Sequence, residues 1–246
     1  ERIEPHCPHF GQCGGCSLQH LDPERQIEYK DRTLRQNLAR IGKVEPESWW
    51  APLAGPLWAY RRRARLSVRY VHKKERVLVG FRERYGAFVA DMQSCPVLDP
   101  RVEAQLEDLA ATILGMEAKR TIPQIEVACG DSECALVFRH LEPLSEEDQE
   151  RLRGFARESG IAVLLQPGGP ATIHALEPAE SGHFENQRPL FGFHHVHAGK
   201  FEIEKRLRFP GQPDGFSGRR IGLIGTPRTG RGVPGVFVTA ARIRRE

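Results

Sequence analysis

The spacing of apolar residues changes period several times along the chain. Ile27, Leu34, Leu38 and Ile41 are separated by 7, 4 and 3 positions, which is one face of a helix. Asp22-Pro23 supplies an N-cap and a proline at the first helical position, and Gly42 suits the end. From Ala64 the period falls to two: Ala64, Leu66, Val68 and Tyr70 alternate with Arg63, Arg65, Ser67 and Arg69. Val77, Val79 and Phe81 repeat the alternation and residues 88–90 offer a third strand, so an antiparallel meander is predicted. Asp99-Pro100 repeats the cap-plus-proline device before a second helical face of Val102, Leu106, Leu109, Ile113 and Leu114. Residues 125–127 and 135–138 flank the turn Gly130-Asp131-Ser132-Glu133 and predict a hairpin.

Ser145 followed by Asp148 resembles a capping box with Asp in place of Glu or Gln. The helix it opens carries Leu152, Phe155 and Ala156, and Gly160 ends it. Residues 161–165 and 172–176 read as two strands around Pro167-Gly168-Gly169-Pro170. The predicted fold class is α+β, an antiparallel sheet with packed helices, an N-terminal loop and an irregular C-terminal tail. The expected division is a cysteine loop at 1–20, a linking helix at 21–44, a central α+β domain at 45–182 and a basic tail at 183–246.

Charge sharpens that last boundary. Residues 200–246 hold eleven Lys/Arg against four Asp/Glu, while the remaining chain holds 25 against 28. The same stretch carries eight Gly and four Pro, so no long helix is predicted there. "GLIGTPRTGRG" has the glycines of a cofactor loop but lacks a strand–turn–helix frame. Apolar residues make up 39% and charged residues 28% of the chain, as in globular proteins. No apolar run approaches the ~20 residues of a membrane span, so no membrane partner is expected. Six cysteines in 246 residues are too few for a secreted disulfide scaffold. A reducing, cytoplasmic compartment is expected, with cysteines as metal ligands or thiols.

Cys7, Cys13 and Cys16 form C-x5-C-x2-C, with Gly11, Gly14 and Gly15 letting the backbone bend around a shared site. The fourth ligand is expected to be Cys95, followed by Pro96. A triplet plus one distant cysteine suits a [4Fe-4S] cluster. Structural zinc more often uses two close pairs, but remains open, as does His6, His9 or His20 as a substitute ligand. Cys129 and Cys134 read as ordinary small half-buried residues beside a turn. On the first strand, alternation places Arg61, Arg63, Arg65 and Arg69 on one face, with Arg82 and Arg84 as an extension. Clustered guanidinium groups match phosphate oxygens, so this face is the candidate RNA-binding surface. The plainer reading is a solvated face partly paired with Glu75 and Glu83.

"CPHFGQCGGCSLQH", "LARIGKV", "YRRRARLSVRYV", "VLVGFRE", "ADMQSCPVLDP" and "LLQPGGPATIHAL" occur in that order. Together they resemble 23S ribosomal RNA (uracil-C5)-methyltransferases of the RumA/RlmD type over about residues 5–178. The resemblance implies an RNA-binding N-terminal barrel, a central domain with a [4Fe-4S] cluster on Cys7, Cys13, Cys16 and Cys95, and a catalytic domain binding S-adenosylmethionine. It also implies that the helix around residues 27–41 docks on the catalytic domain. In the implied chemistry a cysteine thiolate adds to carbon 6 of uracil, carbon 5 takes the methyl group, and a base removes the carbon-5 proton. No cysteine follows Cys134, and residues 183–246 do not resemble the family. The expectation is therefore a truncated or frame-disrupted member, a monomer acting on 23S rRNA by descent but inactive alone. The alternative is an autonomous Fe–S or zinc RNA-binding module.

Overall fold

The computed structural model describes residues 2–176 and the backbone of residues 241–242. The expected tail at 183–246 lies, apart from those two positions, outside the described residues. The first helix, α1 (Pro23–Asn37), is capped as predicted: the Asp22 carboxylate accepts from the Glu24 N–H at 2.9 Å. It runs into a π-helical turn, Leu38–Gly42, and the left-handed residue that closes it is Lys43, not Gly42. Of the predicted apolar face only Leu38 is buried, and Ile41 is 79% exposed. A short strand β1 (Ser48–Trp49) follows, paired antiparallel with β8 (Ala241–Arg242). The Arg35 guanidinium sits 4.0 Å from the centre of the Trp49 ring and ties α1 to β1.

Six strands make the main sheet: β2 (Arg63–Val71), β3 (Arg76–Gly80), β4 (Gln124–Cys129), β5 (Cys134–Arg139), β6 (Ala162–Gln166) and β7 (His174–Ala175), in the order β3-β2-β4-β5-β6-β7. Between β3 and β4 lie α2 (Pro100–Glu103) and α3 (Leu106–Leu114); α4 (Glu146–Ser159) joins β5 to β6. The predicted second helix is thus broken after Glu103, and residues 88–90 form only a bridge from Val89 to Arg82 rather than a strand. The sheet is not wholly antiparallel. β5 and β6 pair in parallel, because a connection through a helix returns the chain to the same end of the sheet.

Register builds the core in rows. Leu66, Ile125, Phe138 and Leu165 are successive neighbours across four strands, and Ala64, Val127, Leu136 and Val163 form the next row. Leu109 and Ile113 of α3 and Leu152 and Phe155 of α4 belong to the same buried cluster. The period-two and helical patterns therefore meet on one face of the sheet.

The Ser145 cap forms, its hydroxyl accepting from the Asp148 N–H at 3.2 Å. Asp148 does not complete a capping box. Its carboxylate, 2% exposed, accepts from the backbone N–H groups of Glu117 and Ala118, each at 2.9 Å. It thereby anchors the turn after α3 to the start of α4. Asp148→Ala strands one buried and one partly buried donor and is expected to cost about 1–3 kcal/mol, read as a lowered urea midpoint with unchanged slope. An unshifted midpoint would refute this role.

Candidate metal centre and arginine face

The loop carrying the first three cysteines is held by main-chain pairing. The Gly14 N–H donates to the Arg82 carbonyl and the Arg84 N–H to the Gln12 carbonyl, both at 2.8 Å, which lays the loop along the segment after β3. Gly11 adopts φ +99°, and the Cys13 N–H turns back to the His9 carbonyl at 2.9 Å. Cys95 enters from a second segment: the Ala59 and Arg61 N–H groups donate to the Pro96 and Val97 carbonyls at 2.8 Å. Arg61 bridges the two, its Nη2 donating to the Gly15 carbonyl at 3.1 Å.

Cys7, Cys13, Cys16 and Cys95 line one small cavity, walled by Phe81, Met92, Pro96 and Val97. Cys13 and Cys95 are buried, and Cys7 and Cys16 half-buried. Burial raises the Cys7 and Cys13 thiols, and raises Cys95 to about 12, so a metal must displace their protons on binding. The Gly15 N–H points at the Cys13 sulfur at 3.4 Å. His9 also lines the cavity, but its Nε2 accepts from the Gln93 N–H at 3.4 Å. His6 packs on Trp58 and His20 on Phe10.

The donor set tests what fits. Tetrahedral zinc, with Zn–S near 2.3 Å, would hold its sulfurs about 3.8 Å apart. Among the described residues, the one group of three ligand atoms within 4.8 Å of each other is Asp99, Cys129 and Cys134, so no three of the four cavity sulfurs are that close. The cavity thiols therefore do not stand at the spacing of a closed tetrahedral zinc site. The gap between them is only about 10 Å³, with Cys13 and Cys95 on its buried side and Cys7 and Cys16 on its half-buried side.

The Asp99 trio is not a metal site. Cys129 and Cys134, opposite each other in the β4–β5 register, are joined as a disulfide. This corrects their reading as ordinary half-buried thiols: pairing places their Cα atoms 4.1 Å apart, and both side chains are buried. The Asp99 oxygens are taken by Arg101, with Nε–Oδ1 and Nη2–Oδ2 both 2.9 Å.

The arginines divide between two tasks. Arg63, Arg65 and Arg69 stand exposed on the sheet face away from the core rows, whereas Arg61 turns to the cysteine loop. Arg65 pairs with Glu126 at 2.8 Å, not with Glu75 or Glu83. Arg62 pairs with Asp131, and Arg84 bonds the Ser17 carbonyl at 3.2 Å. Exposed Arg139 joins the Arg65 face through its register with Gln124 and Ser67. The sequence reading missed it, although the parity of the 124–139 hairpin carries the signal.

Over 173 residues the chain is 57% identical to the 23S rRNA (uracil(1939)-C(5))-methyltransferase RlmD of Alkalilimnicola ehrlichii. That match takes in 70% of this chain and 39% of the relative. The RlmD of Acidovorax sp. is 53% identical over 181 residues, 72% of this chain and 38% of that protein. The Bordetella avium RlmD is 45% identical over 88% of this chain and 43% of its own length, more than residues 1–182 can supply, so the match runs into the tail. The chain thus spans about two fifths of the length of the curated relatives it matches. No family model matches. The Pyrococcus abyssi tRNA (uracil-54, C5)-methyltransferase, solved with S-adenosyl-L-homocysteine, superposes with a TM-score of 0.44 at 21% identity, over 65% of this chain and 37% of that one.

Two expectations follow. A Cβ on Gly15 would lie 2.9 Å from Phe81 Cδ2 and 3.4 Å from the Cys13 sulfur. Gly15→Ala should therefore lower the metal retained per chain after anaerobic purification, and full retention would show that the loop has slack. Arg101 holds the Asp99 carboxyl below its ordinary value of 3.8. Its stabilisation is complete above that value and is lost as pH falls through the lower folded one. As pH falls below about 4, urea midpoints should drop more steeply for the wild type than for Asp99→Asn, and parallel curves would exclude the contribution.

Proposed function

We propose that residues 2–176 are the cluster-bearing, RNA-contacting part of an S-adenosylmethionine-dependent 23S rRNA (uracil-C5)-methyltransferase, monomeric and cytoplasmic. The observation that carries the reading is the convergence of Cys7, Cys13, Cys16 and Cys95 on one cavity, in a chain 57% identical to an RlmD enzyme over 173 residues. When bound there, a [4Fe-4S] cluster supplies four iron–thiolate bonds that fasten the N-terminal loop to the Cys95 segment. Arg61, donating to the Gly15 carbonyl, holds that loop in position from the protein side. Arg63, Arg65, Arg69 and Arg139 present guanidinium groups to RNA phosphates, with Glu126 steering Arg65.

The methyl transfer itself needs a free cysteine as nucleophile. The sequence has six, of which four line the cavity and two are joined to each other. On this reading residues 2–176 bind and position RNA and supply no thiolate nucleophile of their own. The same fact favours a second reading, an autonomous Fe–S or zinc RNA-binding module.

Anaerobically purified protein should contain roughly four irons per chain with matching sulfide and absorb broadly in the visible. Zinc without iron would overturn the cluster. Binding to a 23S rRNA segment should weaken with salt, and Arg69→Ala should reduce the log–log slope by about 0.7–0.9. Equal affinity for unrelated RNA would favour the autonomous module. Methyl transfer from labelled S-adenosylmethionine by this chain would sink the view that it lacks a nucleophile.

A further inference from the structure

Beside the cysteine loop lies a turn that the proposed chemistry leaves unused. Residues 81–90 fold back on themselves, with the Ala90 N–H donating to the Phe81 carbonyl and the Glu83 N–H to the Phe88 carbonyl, both at 2.9 Å. The tip presents two large rings to solvent: Tyr85 is 84% and Phe88 75% exposed. Arg84 braces it. Its N–H donates to the Gln12 carbonyl, its Nη2 to the Ser17 carbonyl, and its guanidinium lies 5.4 Å from the Phe10 ring centre and 5.9 Å from that of Tyr85. Glu83, the acidic residue of the turn, accepts from Gln12 Nε2 at 3.2 Å. Arg82 is exposed on the same turn.

We infer that this tip is a stacking platform for an unpaired base of single-stranded RNA. Two exposed rings cost solvation, and a braced turn keeps them from folding onto the protein. Aromatic faces bind bases without regard to sequence, and neighbouring guanidinium groups suit the adjoining phosphates. Two aromatic side chains offer about 300–500 Å², short of the roughly 800 Å² per partner of a standard protein interface. The platform rests on the RNA-binding reading but uses different residues from the sheet face.

The test is fluorescence anisotropy of the full chain with a labelled oligouridine and with a blunt RNA duplex. Tyr85→Ala and Phe88→Ala should each weaken oligouridine binding by about five- to 150-fold, leave duplex binding unchanged and keep the salt slope of the wild type. Tyr85→Phe, which retains the ring, should bind like the wild type. Both positions are exposed, so unaltered thermal midpoints are expected to accompany these changes. If the wild type binds RNA with the expected salt dependence but the alanine variants bind equally well, the platform is wrong. Equal weakening for oligouridine and duplex also overturns it. If the wild type binds neither RNA, the RNA reading falls along with the platform.

Discussion

The segment from Cys7 to Cys16 has one large apolar side chain, Phe10, and cannot hold itself in place by burial. Its position depends on main-chain pairing with the residues after β3. Gly14 donates to Arg82, Arg84 donates to Gln12, and Cys13 bridges to Glu83. A side chain at Gly14 would approach the Arg82 carbonyl oxygen to 2.9 Å, so the close approach demands glycine. Everything proposed for this end of the molecule follows from that pairing. It brings three thiols against Cys95 and fixes the base of the Tyr85–Phe88 tip. It also puts the Gly15 carbonyl within reach of Arg61.

Arginine use shows how the same residue type serves two ends. Arg61, Arg84 and Arg101 donate to carbonyls or a buried carboxylate and act as struts. Arg63, Arg65 and Arg69 project from a face whose strand partners are mostly small or polar. Alternation assigns a side of the sheet, but only within the strand. Arg61 precedes β2, where the chain is already pairing with residues 97–99, and so escapes the parity that groups it with Arg63.

Much of the fold was legible because local chemistry and burial agreed. The Asp22, Asp99 and Ser145 caps, the 124–139 hairpin and the left-handed Gly160 all appear where the residues call for them. The cysteine set was readable as a pattern, and the structure gathers it around one cavity. What sequence could not supply was partner choice at a distance. Asp148 looks like a local capping residue, yet its short carboxylate finds two donors some thirty positions away. The parallel β5–β6 pair depends on where α4 deposits the chain, and the Cys129–Cys134 bond on which residues the hairpin register sets opposite each other.

The strand order has a further consequence. β2 pairs with β3 on one side and with β4 on the other, but the chain between β3 and β4 makes a long excursion that includes Cys95 and the two helices α2 and α3. A metal joining Cys7, Cys13 and Cys16 to Cys95 therefore closes a loop of about eighty residues, a large entropic restraint on the unfolded chain. Without it, the cysteine loop is held by backbone pairs with residues 82–84 and by the Arg61 and Arg84 struts, while β3 stays fixed in the core through Val77 and Val79. The loop has little burial of its own. A metal held there would set how far that loop opens independently of the sheet.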